Sequence, residues 1–302
     1  MRRKLMRVNP NFTPDILNDL SQSQTLEQTY IEQLATGRRV NLPSDDPSAA
    51  AADVQNQALQ SQNDQYLQNT SSLEGMFQTA DSALSLVVTA LNQAVSLGTQ
   101  GANGGVSASA QQAIAQQVQA IQSQIVQLAN TSYQGSYLFG GTATQSAPFA
   151  LDSTQPSGVA YNGNTGVNSV EIAQGRSIQT NVPGSQLFMS TTASVMGSLQ
   201  QLVTALQSGN SSSIGAATTQ VGTALSYLSQ QRVYYGNAVD QLNSNQSSLQ
   251  TEQVNLQSQE STLVGADLAT AATDLSQAET QRSATLAALA QVIPQSLLNY
   301  LK

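Results

Sequence analysis

The sequence predicts a mainly α fold: a long antiparallel helical bundle or coiled coil formed by both chain ends, with a small inserted β domain. Three observations carry this expectation. Apolar residues recur in alternating steps of four and three over long stretches of both halves, the period of one buried helix face. The middle of the chain, 135–188, is instead rich in Gly, Asn, Ser and Thr with short β-prone pieces. Of 302 residues, 39% are apolar, 5% aromatic and 9% charged, and 43 are Gln. Ordinary globular chains carry about 25% charged residues and about 45–50% apolar ones. A thin core in an extended shape fits that composition better than a densely packed enzyme does.

The elements follow in order. Ile16, Leu20, Ser23, Glu27, Tyr30 and Leu34 keep the helical steps. Pro14-Asp15 supplies a helix start and Gly37 a stop. Asn41-Leu42-Pro43-Ser44-Asp45-Asp46-Pro47 is a non-helical connector, with Asp46 as N-cap and Pro47 as first residue of the helix that carries Ala49 to Gly98. Tyr66, Thr70, Leu73, Phe77, Ala80, Leu84, Val87, Leu91 and Ala94 mark its buried face. The glycines of 98–105 reverse the chain into a second helix, through Ile114, Val118, Ile121, Ile125 and Leu128. In the middle, Tyr137-Leu138-Phe139, 169–172 and 177–182 read as strands, and Tyr161-Asn162-Gly163-Asn164 as a turn. Val195, Leu199, Leu202 and Leu206 form a short helix ending at Gly209. From Ile214 the steps continue through Leu242, Leu249, Leu256 and Leu263, one side of a coiled-coil seam, with Gln246, Gln253 and Glu260 between them. After Leu263 the register slips, and Leu268, Leu275, Arg282 and Leu289 restore it on a shifted face. A continuous helix from Ile214 to Val292 would span about 120 Å.

Composition removes most chemistry. The chain has no Cys and no His, which excludes disulfides, thiol nucleophiles, imidazole zinc ligands and Ser-His-Asp triads. Its formal net charge is −8, and four of ten bases (Arg2, Arg3, Lys4 and Arg7) sit at the N-terminus. That distribution lacks the basic stripe of a nucleic-acid binder. No apolar run approaches the roughly 18 residues of a membrane span, and no apolar segment follows the basic tip as in a cleaved leader. Asp45-Asp46, the one adjacent carboxylate pair, reads as connector and helix cap, not as a metal site, which needs several converging oxygens. Of Arg38 and Arg39, one is expected to pair with a nearby carboxylate and the other to be solvated. The glycine loops lack the spacing of phosphate-binding motifs. No catalytic residue, cofactor or metal is expected.

The terminal helices hold the informative surplus. Leu275, Ala278, Leu286, Leu289, Val292, Ile293, Leu297, Leu298 and Leu301 are too apolar for a solitary helix, since burying one Leu contributes about 1.5–3 kcal/mol. Residues 14–36 of the same chain can cover part of them, and neighbouring subunits the remainder. The expected interface is Ile16, Leu20, Tyr30, Leu34, Leu268, Leu275, Leu286, Leu289, Val292, Ile293, Leu297, Leu298 and Leu301, with Asp45, Asp46 and Pro47 as cap and connector.

Three ordered motifs carry a resemblance across nearly the whole chain. The first is the run from Gln33 to Ala50 containing Pro43-Ser44-Asp45-Asp46-Pro47. The second is Leu128-Ala129-Asn130-Thr131 followed by Gly135-Ser136-Tyr137-Leu138-Phe139-Gly140-Gly141-Thr142, Pro148-Phe149 and Tyr161-Asn162-Gly163. The third is Ala266-Asp267-Leu268-Ala269 with Asp274-Leu275-Ser276 and the ending Ser296-Leu297-Leu298-Asn299-Tyr300-Leu301. Together they resemble the flagellar hook-associated protein 3 family, junction proteins related to flagellin. The family's usual Met-Arg-Ile/Val opening matches Met6-Arg7-Val8, and the acids common before Asp267 are replaced by Leu263-Val264-Gly265-Ala266. The resemblance implies a non-enzymatic, extracellular flagellar component exported through the type III system without a cleaved signal. It also implies a ring between the first hook-associated protein and flagellin, and an export chaperone on the C-terminal helix. Its layers would be 1–36 with 266–302 as paired terminal helices, 37–134 with 193–265 as a helical rod, and 135–192 as an outer β domain. A flagellin filament subunit is the alternative, and an adhesive or carbohydrate-binding surface protein a third reading.

Overall fold

The computed structural model describes the backbone of residues 12–300 and the side chains of residues 14–290. Seven helices and three two-stranded hairpins appear among the described residues. They form two compact units, one from residues up to Gln62 and from Glu252 onward, the other Asn63–Thr251. The unit boundaries fall inside two helices, α2 (Pro47–Gly101) and α6 (Ser211–Val264).

In the second unit, α2 and α6 share one core with α3 (Ala108–Ala129) and α5 (Val195–Ser208). Phe77, Leu84, Val87 and Leu91 of α2 meet Val118 and Ile125 of α3, Leu199 and Leu202 of α5, and Val221, Leu228 and Leu242 of α6, all fully buried. The periodic residues thus do what their spacing predicts, because burial of one stripe per helix is the main source of helical stability. By length and composition α2 could cross a membrane, with a best-window mean hydropathy of 1.2, but Leu84, Val87 and Leu91 are spent on this core. Ser107 caps α3 by accepting from the Ala110 amide at 3.3 Å, and Ser194 caps α5 by accepting from the Gly197 amide at 3.0 Å.

The β-rich stretch forms β1–β2 (Ser132–Tyr133 with Ser136–Tyr137), β3–β4 (Phe149–Leu151 with Val159–Tyr161) and β5–β6 (Ser169–Ala173 with Arg176–Gln179), all antiparallel. Lone hairpins are marginal in water, so these are held by the helices. Phe139 and Phe149 each meet Phe188 of α4 (Gly184–Phe188) edge-on at 5.4 Å, inside the bundle core. Asn245 donates to the Ile172 carbonyl at 2.7 Å and Tyr234 to the Gln179 carbonyl at 2.7 Å. Leu138 and Phe139, expected in a strand, sit in a turn instead. Phe139 is fully buried, and anchoring the hairpins to the helices outweighs its strand propensity. At Gly141, with φ +71°, a Cβ would collide with the Asn164 carbonyl oxygen, so the turn demands glycine.

In the first unit, α1 (Phe12–Thr36) packs along α7 (Leu268–Tyr300). The pair is antiparallel, for the Gly37 carbonyl accepts from the Ala266 amide at 2.9 Å while Asp19, far earlier in α1, shares a groove with Thr285. Helix α1 begins two residues before the expected Pro14, which its first turn tolerates because no N–H is needed there. It ends where Gly37 takes φ +69°. The long helix from Ile214 to Val292 does not exist: α6 stops at Val264 and α7 starts at Leu268. Arg38 bridges to Gly265 across the break, and Asp267 restarts the helix by accepting from the amides of Ala269 at 3.0 Å and Thr270 at 3.3 Å. The slip of heptad register after Leu263 was the trace of this interruption.

Candidate assembly surface

The α1–α7 seam is polar at its centre. Ser23 is buried and donates to the Ala278 carbonyl at 3.2 Å. One turn on, Arg282 meets Glu27 at 2.8 Å, with the Glu27 side chain only 15% exposed. Ile16, Leu20, Tyr30, Leu34 and Leu275 are half-buried, and Leu289 is buried alongside Ala271 and Ala278. Both helices therefore spend much of their apolar stripe on each other. Leu268 and Leu286 remain 51% and 47% exposed. The side chains of Val292, Ile293, Leu297 and Leu298, and Leu301 entirely, lie outside the described residues.

A second apolar set was not singled out by spacing. Leu17 and Ile31 on α1 are 54% and 49% exposed, and Leu26 is exposed too. Leu17 and Ile31 each follow a seam residue by one position, so they flank the buried stripe. Their signal was present in the sequence as an apolar face wider than one seam requires, about a third of the helix circumference.

The connector joins α1 to α2 through a chain of charges. Asp45 Oδ2 accepts from the amides of Leu42 at 2.8 Å and Asn41 at 3.1 Å, closing the turn. Asp46 Oδ1 accepts from the Ala49 amide at 3.0 Å and from the Ser48 hydroxyl at 2.8 Å, and Pro47 opens α2. These donors, the Ala49 amide foremost, hold the Asp46 carboxyl below its ordinary 3.8. The Thr270 amide, then its hydroxyl, do the same for Asp267 at the start of α7.

Both arginines of the connector are paired, which corrects the expectation that one would be solvated. Arg38 reaches Asp53 on α2 and, at 3.2 Å, Glu260 on α6. Arg39 reaches Asp46 at 3.5 Å and the Leu263 carbonyl at 3.0 Å. Sequence spacing could place Asp53 near Arg38, but Glu260 lies 222 residues away and only the fold brings it in. Backbone bonds add to the clamp: the amides of Arg39 and Val40 donate to the Val264 carbonyl at 2.7 and 3.4 Å. Val40, Ala49 and Val264 form a small buried cluster beneath them.

No group of three or more metal-ligating side chains occurs among the described residues. What the first unit presents is a tied pair of helices with half-exposed leucines and isoleucines beside a charge-locked connector.

Comparison with known proteins agrees with that character. Flagellar hook-associated protein 3 of Salmonella typhimurium is 32% identical over 181 residues, and that of Escherichia coli 30% identical over 181 residues. Each alignment covers 60% of this chain and 56% of the relative's length. The Bacillus cereus FlgL crystal structure superposes with a TM-score of 0.57 over 70% of this chain and 99% of its own, at 22% identity, a likeness of fold. The bacterial flagellin N-terminal helical region matches residues 13–144 and the flagellin C-terminal helical region matches residues 218–301, together more than two thirds of the chain. With both terminal helical regions in place and in order, the chain belongs to the flagellin family.

Proposed function

We propose that this chain is a structural adaptor of the bacterial flagellum, a ring component joining the first hook-associated protein to the flagellin filament. The carrying observation is the α1–α7 pair, which covers its own seam yet leaves Leu17, Ile31, Leu268 and Leu286 half exposed. Surfaces of that kind are covered by neighbours in an assembly, and head-to-tail contacts between unlike neighbours fit a junction. Resemblance to hook-associated protein 3 at 32% and 30% identity supports the junction over the filament itself. In this reading the terminal helices (1–36 and 266–302) form the inner layer, 37–134 with 193–265 the rod, and 135–192 the outer face. The chain leaves the cell through the flagellar type III system with its N-terminus uncleaved, and an export chaperone holds the C-terminal helix before assembly. It catalyses no reaction.

The test is removal of residues 275–302. Flagella are expected to lose the protein and shed their filaments, while residues 49–263 stay helical by circular dichroism. Normal filament attachment in that strain defeats the proposal. A filament subunit is the second reading, favoured by the flagellin matches at both ends. Sheared flagella separate the two, since a subunit dominates them and a junction protein is a trace component.

A further inference from the structure

Two Asn-Gly pairs occur in the sequence, Asn103-Gly104 and Asn162-Gly163, and the fold treats them differently. Such a pair is open to attack by its own backbone, because glycine leaves the amide nitrogen after the asparagine unshielded. Asn103 lies in the turn between α2 and α3, exposed together with Gly104 and Gly105. A Cβ on Gly104 would meet nothing within 4 Å, and the Gly104 amide finds no acceptor among the described residues. Asn103 Oδ1 accepts from the Gly105 amide at 3.3 Å, which turns the side-chain carbonyl onto the backbone just after it. That donor faces the oxygen on which negative charge develops when a nucleophile adds to Cγ. Asn162-Gly163 is held instead. The Asn162 amide donates to the Pro148 carbonyl at 2.7 Å, and the Asn164 amide to the Gly140 carbonyl at 3.1 Å. The Tyr161 hydroxyl reaches the Asn164 carbonyl at 2.9 Å, and the Tyr161 ring and Gly140 carbonyl crowd Gly163. Bringing the Gly163 nitrogen onto Asn162 Cγ would require this turn to open first.

We propose that Asn103 is a site of spontaneous deamidation in the folded chain, with water as co-reactant. The Gly104 amide gives up its proton to solvent base, and its nitrogen pair bonds to Asn103 Cγ. The tetrahedral carbon expels the Nδ2 group as ammonia, which carries a proton away, and a five-membered succinimide remains. Water then adds to one of the two ring carbonyls. Breaking the new N–Cγ bond yields aspartate at position 103, whereas breaking the bond from nitrogen to the backbone carbonyl carbon of residue 103 yields isoaspartate. In sum, an amide and water become a carboxylic acid and ammonia. Either product adds one negative charge to the turn, and isoaspartate also lengthens its backbone by a methylene. The flanking helices stay tied, α2 by Gln111 Nε2 on the Gly101 carbonyl at 3.1 Å and α3 by its Ser107 cap, so the change is confined to the turn. The site does not depend on the adaptor reading.

To test this, the full-length chain is kept in mildly alkaline heavy-oxygen water, digested under acid conditions and read by peptide mass spectrometry. Isoaspartyl methyltransferase labelling marks the isoaspartate fraction. Conversion at Asn103 is expected to run about tenfold or more faster than at Asn162, because only the second must wait for local opening. In urea, where both pairs are unfolded, the two rates should converge. Gly104→Ala, for which the turn has room, is expected to slow Asn103 about tenfold or more by shielding the nitrogen. It should leave Asn162 and the circular dichroism unchanged. Equal conversion at the two sites in the folded chain, an Asn103 that converts only in urea, or a rate indifferent to Gly104→Ala overturns the assignment. Should that variant not fold, the folded-against-urea comparison on the unsubstituted chain decides alone.

Discussion

Replacing Arg38 by Met tests whether the connector is held by charge or by its backbone alone. The substitution keeps most of the aliphatic stem and removes the guanidinium that joins Asp53 to Glu260. Breaking a buried pair from one side costs about 3–5 kcal/mol, because the remaining charge stays in the interior uncompensated. Asp53 meets that condition, with 8% of its side chain exposed, but Arg38 is 34% exposed and partly screened. Discounting for solvent leaves about 2–3 kcal/mol of local stability. The natural reporter is the Arg39 amide, which donates to the Val264 carbonyl at 2.7 Å across the clamp. Exchange of such an amide follows local opening, so its rate should rise about 30- to 150-fold, at roughly tenfold per 1.4 kcal/mol. Adding Asp53→Asn removes the stranded charge and should recover most of the loss. Unchanged exchange at Arg39 in Arg38→Met, or a double variant no slower than the single, would refute the idea that this ion triad ties the connector down.

Other outcomes follow from the same geometry. Asn56 is 4% exposed and donates to the Leu256 carbonyl at 2.8 Å, yet its own Oδ1 has no partner; Asn56→Leu should change the stability of the first unit by less than about 1 kcal/mol in urea titrations, since deleting the unsatisfied oxygen offsets the loss of the bond to Leu256. Phe77, fully buried and edge-on to Tyr235 at 5.8 Å, should cost the second unit about 3–5 kcal/mol when cut to Ala, seen as an earlier loss of near-ultraviolet tyrosine dichroism. Acid should fray the starts of α2 and α7 first. Asp46 and Asp267 are held below 3.8, so their contribution is complete above that pH and is lost as pH falls through the lower folded values. Faster amide exchange at Ala49 and Thr270 below that point, abolished in Asp46→Asn and Asp267→Asn respectively, is the expected signature.

Part of the molecule is legible without coordinates because its causes are local. Asp46-Pro47 can start a helix wherever it occurs, and Gly209 at φ +73° ends α5 as a glycine after a periodic run does. The stripe through Phe77, Leu84 and Leu91 must face a core, whichever helix supplies the other side. The register slip after Leu263 also sits in the sequence, but its meaning does not. An insertion in a heptad can bend a supercoil or stop a helix. Here it stops one because Gly37 and Arg39, more than 220 positions earlier, bond to Ala266 and Val264. The strands were harder. Phe139 carries strand propensity, yet the bundle takes it as an anchor, and burial outweighs a preference worth about 1 kcal/mol at most.

The candidate surface divides along the same line. That the chain ends are greasier than one helix pair needs is a matter of counting leucines and isoleucines. Which of them remain outside is not, since Leu289 and Leu286 differ by three residues and only one is buried. The charge-locked connector likewise required the fold, because Coulomb attraction at 3.2 Å between Arg38 and Glu260 has no counterpart in sequence distance. Sequence by itself determined the helices, their caps and the absence of thiol and imidazole chemistry, all properties of neighbours along the chain. Tertiary structure decided the break between α6 and α7, the anchoring of the hairpins and the pairing of Arg38 with Glu260, because each depends on groups that meet only once the two chain ends are brought together or the middle is folded onto the helices.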